Sequence, residues 1–169
     1  MVVDFTKNLD KVMEYFYKRG AFLTSKTTDE LNTMTISWGN VGYVWGKPIF
    51  TVFVRKSRHT HHIIEQSGEF TVSIPMKDNL KNALAICGSK SGRDLDKFKE
   101  ANIYPVKGKI VSTPVIADCG MYFECKVIYK QDMTPEFLSE DIVKTSYVDD
   151  DYHTIYFGEI VSCYQGRQI

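Results

Sequence analysis

The chain has 169 residues, 43% hydrophobic and 25% charged, which suits one globular domain with a single sizeable core and leaves no segment polar or repetitive enough for a disordered tail. Its 21 basic residues balance its 21 acidic ones, so the basic surplus of nucleic-acid binders is missing and a polyanion is excluded as the expected partner. No stretch nears the ~20 apolar residues of a membrane helix, and the opening Met-Val-Val-Asp-Phe-Thr-Lys lacks the basic-then-apolar pattern of a secretion signal, so a cytoplasmic protein with no membrane partner is expected.

Leu9, Val12, Met13 and Phe16 fall at i, i+3, i+4 and i+7, which predicts an amphipathic helix that Asn8 or Asp10 caps and Gly20 ends. Ala21 to Lys26 reads as a strand and Thr27 to Glu30 as a polar turn, so the next stretch, Thr33 to Gly39, completes a hairpin. Period two sends Met34, Ile36 and Trp38 to a core face and Thr33, Thr35 and Ser37 to the other. A row of short hydroxyls can line a polar ligand; it equally suits a half-exposed strand, because Thr is a good strand former. Gly39, Gly42 and Gly46 follow, interleaved with Tyr43 and Trp45 and closed by Pro48, at a spacing that matches neither a dinucleotide fingerprint nor a P-loop.

Ile49 to Val54 is apolar on both faces, as expected of a central strand with a core on one side and a helix or second subunit on the other. It runs into Arg55-Lys56-Ser57-Arg58-His59-Thr60, at the start of a helix predicted over Arg58 to Gln66. Unpaired N–H groups at a helix start, with cations and hydroxyls beside them, make a phosphate seat; a solvated basic turn with Ser57 as N-cap fits the same residues. Phe70 to Ile74 is a strand stopped by Pro75, Asp78 to Cys87 a helix, Gly88 to Gly92 a loop, and Arg93 to Ala101 a short helix. Lys109 to Ile116, Met121 to Tyr129 and His153 to Tyr164 read as strands, with Phe123, Cys125 and Tyr129 turned one way and Glu124 and Lys126 the other. Thr134 to Asp150 is acidic and irregular, with one helical turn at Pro135 to Leu138. Strands without regular helix alternation argue for an antiparallel β-barrel with peripheral helices over a doubly wound sheet.

Cys87, Cys119, Cys125 and Cys163 form no Cys-x-x-Cys pair and read as buried thiols. On one extended strand Cys119 and Cys125 lie about 20 Å apart, against ~7 Å at most for a bridged pair. His59, His61 and His62 have no companion carboxylate or Cys pattern and read as a polar helix start, so no metal site is expected.

Asn32-x-Met34-Thr35-x-Ser37-Trp38-Gly39, then Pro48, Arg55-x-Ser57-x-x-Thr60, Gly68-Glu69-Phe70-Thr71-Val72, and Ser91-Gly92-Arg93 with Asp96-Lys97-Phe98 resemble, in order and spacing, the flavin reductase-like, FMN-binding split-barrel family that includes flavoredoxin. The resemblance covers most of residues 10 to 164. It implies a mainly β, antiparallel Greek-key split barrel over 1–169, a homodimer, and FMN near the subunit interface. By the same resemblance Thr33, Met34, Thr35, Ile36, Ser37 and Trp38 lie beside the flavin ring and ribityl chain. Val54, Arg55, Lys56, Ser57 and Thr60 hold the phosphate, and the loop at Ser89 and Lys90 approaches from another side. The implied activity is flavin-dependent oxidoreduction, with NAD(P)H or a protein as donor. No catalytic side chain is assigned, because the flavin carries the chemistry and no Ser/His/Asp or paired-carboxylate pattern is present. The alternatives are an electron carrier with bound FMN and a protein redox partner, or a non-catalytic flavin-binding module.

Overall fold

The computed structural model describes residues 3–166, so positions 1–2 and 167–169 of the single domain expected over 1–169 lie outside the described residues. The N-terminal helix α1 spans Leu9–Arg19 and buries Val12 and Phe16, as its periodicity predicts. Asn8 does not cap it through its side chain; it takes a left-handed conformation and its carbonyl accepts from the Val12 N–H. Strands β1 (Ala21–Lys26), β2 (Leu31–Ile36), β3 (Gly39–Val44) and β4 (Lys47–Arg55) follow, then α2 (His59–Ser67) and β5 (Glu69–Ile74). After a 3-10 turn at Asp78–Leu80 come α3 (Lys81–Ser89), α4 (Lys97–Glu100), and the two-residue strands β6 (Pro105–Val106) and β7 (Val115–Ile116). The long strands β8 (Met121–Asp132) and β9 (His153–Gln165) are separated by a second 3-10 turn, Pro135–Phe137, and by α5 (Glu140–Ser146).

Seven strands form one antiparallel sheet in the order β2-β1-β5-β8-β9-β4-β3. Its two edge strands are joined by Ser37 and Trp38 alone. Three Cα steps span at most about 11 Å, whereas seven strands laid flat at ~4.8 Å spacing put the edges roughly 29 Å apart. The sheet therefore curls until β2 and β3 approach without pairing, which is the split barrel the sequence implied. Phe50 packs edge-on to Phe16 and to Phe123, at 6.0 and 5.1 Å between centroids, so α1 closes the aromatic core from one side.

Several expectations change. The strand expected over Thr33 to Gly39 ends at Ile36, because the chain must turn at Ser37 and Trp38 to start β3. Met34 is half-buried and Trp38 47% exposed, so only Ile36 of the expected core face is in the core. The glycine-rich stretch after it is itself a strand: Trp45 (φ 54) and Gly46 (φ 70) form the two-residue, left-handed turn that matches the twist of a β3–β4 hairpin. Both faces of β4 are already covered within the chain at Ile49, Phe50, Val52 and Val54. The expected strand over 109–116 shrinks to Val115–Ile116. There, carboxylates replace a neighbouring strand: Glu124 accepts the N–H groups of Lys109, Ile110 and Val111 at 2.7, 2.7 and 2.9 Å, and Glu69 accepts that of Thr113 at 2.8 Å. Glu124 is accordingly buried rather than solvated, next to a β-bulge at Glu124/Cys125 that breaks the simple alternation. A second irregularity at Val127/Tyr129 leaves Tyr129 43% exposed. The helix expected over 93–101 is a single turn, Lys97–Glu100, started where Asp96 accepts from the N–H groups of Phe98 and Lys99. The acidic stretch holds one helix the sequence did not reveal, α5.

Candidate functional site

Two depressions of about 180 and 130 Å³ meet along Met34 and Arg58, between the end of β2, the start of α2 and the loop after α3. The first is a slot walled by Met34 to Trp38 on one side and by Phe53, Arg55 and His153 on the other. His153 lies 5.1 Å from the Trp38 ring and 2.8 Å, through Nδ1, from the Tyr147 hydroxyl. Burial and the nearby Arg55 cation push the His153 pKa down to about 4, so the slot wall is a neutral imidazole at physiological pH.

The second depression is cationic. Arg58 lines it and makes no ion pair among the described residues, while Arg93 reaches in and donates to the Ser57 carbonyl at 2.9 Å. At the first turn of α2 the N–H groups of His59 and Thr60 have no acceptor among the described residues. Lys90 lies on the rim, and at the floor the buried Lys97 ammonium donates to the carbonyls of Thr33 and Cys87 at 3.0 and 2.9 Å. Burial lowers the Lys97 pKa, and burial lifts that of the neighbouring Cys87 thiol to about 11. Gly92 seals one side, since a Cβ there would stand 2.1 Å from Asn32 Oδ1. Two arginines, a lysine and free helix-start N–H groups around a small concavity favour a phosphate-sized anion.

Of the residues expected at the site, Met34, Thr35, Ile36, Ser37, Trp38 and Arg55 line the slot, and Ser57, Thr60 and Lys90 line the cationic pocket. Four do not reach the cleft. Thr33 is fully buried, with its hydroxyl donating to the Leu23 carbonyl and accepting from Thr24; Val54 is in the core. Lys56 pairs with Asp132 at 2.6 Å, and the Ser89 hydroxyl folds back onto the Ala85 carbonyl. The hydroxyl row does not face a ligand as a row: Thr35 donates to the Leu84 carbonyl at 2.6 Å, and Ser37 alone keeps an exposed hydroxyl. The Thr60 hydroxyl is likewise taken, accepting from Asn32.

Arg55 is also engaged. Its guanidinium donates to Asp149 Oδ1 at 2.9 Å and to the carbonyls of Asp151 and Ser146 at 3.1 and 2.7 Å, with the Tyr147 ring 5.4 Å from its centre. The guanidinium that faces the pocket beside Arg93 is that of Arg58, which the sequence placed only at a helix start. Its place directly before the first turn of α2 was the available signal. Arg93 and His153 were missed as site residues because loop and strand-end side chains acquire neighbours only through the fold. Among the described residues no group of three His, Cys, Asp or Glu could hold a metal, and all four cysteines are free. No helix is long and apolar enough to cross a membrane.

The family described as "Flavin reductase like domain" matches residues 13–168 of the chain. An uncharacterized protein of Archaeoglobus fulgidus is 27% identical over 155 residues, which cover 92% of this chain and 77% of that protein. The Escherichia coli protein YddH is 29% identical over 132 residues, 78% of this chain and 60% of its own, so less than two thirds of that relative is spanned. The solved structure of flavoredoxin from Methanosarcina acetivorans shares the fold with a TM-score of 0.69 at 23% identity, covering 89% of this chain and 69% of that one.

Proposed function

The chain belongs to the flavin reductase-like family, and from that premise we propose that it is a flavin-dependent oxidoreductase holding FMN in this cleft, with NAD(P)H as the electron donor. The observation that carries the reading is the pairing of an aromatic-walled slot with a cationic, donor-lined pocket directly beside it. FMN combines an apolar planar ring with a dianionic phosphate, and the two halves of the cleft match those two chemistries. When bound, the flavin supplies hydride or single-electron transfer.

The chain's own residues do the holding. Arg58, Arg93, Lys90 and the His59 and Thr60 N–H groups meet the phosphate with charge-assisted hydrogen bonds. Met34, Trp38 and Phe53 exclude water from the ring's surroundings, and the backbone from Thr35 to Ser37 offers polar groups to its edge. His153, held neutral, adds no competing cation beside Arg58. The working unit is a homodimer: Tyr43 and Trp45 are 58% and 61% exposed on the β3–β4 hairpin, and Trp45 packs on Tyr129 and Phe157, an aromatic patch suited to burial against a second copy.

Titration of FMN fluorescence tests the binding, and protein reconstituted with FMN and desalted keeps flavin absorbance with shifted bands. NAD(P)H oxidation with added FMN tests the activity. Protein that neither retains nor quenches FMN refutes the reading; turnover with reduced ferredoxin but with neither nicotinamide replaces the reductase with an electron carrier.

A further inference from the structure

The pocket proposed for the flavin phosphate already has an anion at one corner. Ser57 forms part of its wall, yet the Ser57 hydroxyl donates to Asp151 Oδ2 at 2.5 Å and its N–H donates to Asp151 Oδ1 at 3.3 Å. The same carboxylate stands 3.9 Å from the Arg55 guanidinium, which also holds Asp149. A hydroxyl has one proton to give. While Asp151 is in place, Ser57 offers a phosphate neither of its donors. Backbone N–H, hydroxyl and guanidinium around one carboxylate form the donor set that phosphate oxygens use.

We propose that Asp151 is an internal anion that occupies the Ser57 corner of the phosphate pocket and is displaced when a flavin phosphate binds. The inference rests on the flavin reading above and adds a competitor to it. Displacement asks only the Asp151 carboxylate to turn away from Ser57; Tyr147 in the same segment is buried and held to His153 Nδ1 at 2.8 Å, so the backbone of the segment stays in place. The chain thereby discriminates between flavins: a phosphate-bearing flavin must release Asp151 from Ser57, whereas riboflavin, which has the same ring and no phosphate, binds with the contact intact. The Asp151 side chain acts as a latch, carried on a segment whose backbone Arg55 holds at Ser146 and Asp151.

The test measures FMN and riboflavin affinities by fluorescence titration for the parent, Asp151→Ala, Asp149→Asn, Ser57→Ala, and Asp151→Ala combined with Ser57→Ala. Freeing Ser57 restores about one hydrogen bond to a charged group, so Asp151→Ala should raise the FMN-to-riboflavin preference about tenfold or more. Asp149→Asn removes the same charge without touching Ser57 and should raise it less than about threefold, the order of a screened, exposed charge. In the Ser57→Ala background, where only the backbone N–H is left to free, the gain from Asp151→Ala should be clearly smaller than with the hydroxyl present. Unchanged riboflavin affinity certifies that each variant keeps its cleft. Equal gains from the two aspartate variants, a gain undiminished without the Ser57 hydroxyl, or a loss of FMN preference overturns the proposal while leaving the flavin reading standing. Failure of the parent and every variant to bind either flavin overturns both.

Discussion

Asn32 Nδ2 donates to Thr60 Oγ1 at 2.8 Å, with both side chains buried, and this single bond ties β2 to the first turn of α2. The two walls of the cationic pocket are thereby set relative to each other. Replacing one partner leaves a buried polar group unpaired, which costs about 1–3 kcal/mol, whereas removing both costs less. Asn32→Ala and Thr60→Val are each expected to lower stability by that order, about 2–4 °C in Tm per kcal/mol for a chain of this size. The double variant should recover part of the loss. Thermal unfolding of the four proteins gives the coupling, and strictly additive losses would show that the bond is not what joins the two elements.

Arg58 and Arg55 make opposite predictions. Arg58 faces the pocket without an ion-pair partner among the described residues, while Arg55 is bound to the segment from Ser146 to Asp151. Arg58→Ala should weaken FMN binding roughly ten- to a hundredfold, the worth of a charge-assisted bond, and leave riboflavin nearly unchanged. Arg55→Ala should cost FMN less than Arg58→Ala does, since its guanidinium serves the latch first. If Arg55→Ala proves the more damaging to FMN, the assignment of the phosphate to the Arg58 side is wrong.

Glu124 gives a pH-dependent prediction. Burial alone would raise its pKa, but hydrogen bonds from the Lys109, Val111 and Ile110 N–H groups and from the Tyr164 hydroxyl outweigh burial and hold it below the ordinary 4.5. The folded-state value is therefore depressed relative to the unfolded one. Its stabilising contribution is present above pH 4.5 and is lost as pH falls below that value through the folded pKa. Glu124→Gln removes the charge and turns an amide toward backbone donors, so it should cost about 1–3 kcal/mol at neutral pH. It should also flatten the acid side of the stability curve; a Gln variant with the parent's acid dependence would show that other carboxylates set that limb.

Dimerisation is expected through the aromatic patch rather than through β4. Light scattering should give about twice the chain mass of 19.4 kDa. Trp45→Lys, which places a charge in the centre of the patch without disturbing the left-handed turn more than Trp already does, should shift the protein toward monomer at micromolar concentration. A parent protein that scatters as a monomer, or a Trp45→Lys dimer as stable as the parent's, would remove the patch from consideration as the interface.

The elements legible in the sequence are those whose signal is local. Leu9 to Phe16 announces its helix because 3.6-residue periodicity is a property of neighbours in the chain, and Ile49 to Val54 announces a central strand because both its faces are apolar. Order and spacing of short motifs were enough to identify the family, and with it the split barrel. What the sequence left undetermined depends on partners far along the chain. Thr33 and Thr35 look alike as ligand-lining hydroxyls until β1 and α3 supply the Leu23 and Leu84 carbonyls that use them. Residues 109–113 look like strand until Glu124 and Glu69 supply acceptors that no strand provides. Arg55 looks free to meet a ligand until a segment more than 90 residues later brings Asp149 and the Asp151 carbonyl against its guanidinium. A hydrogen-bonding group is committed by whichever partner reaches it first, and those partners are chosen by the curl of the sheet, which only the tertiary structure decides.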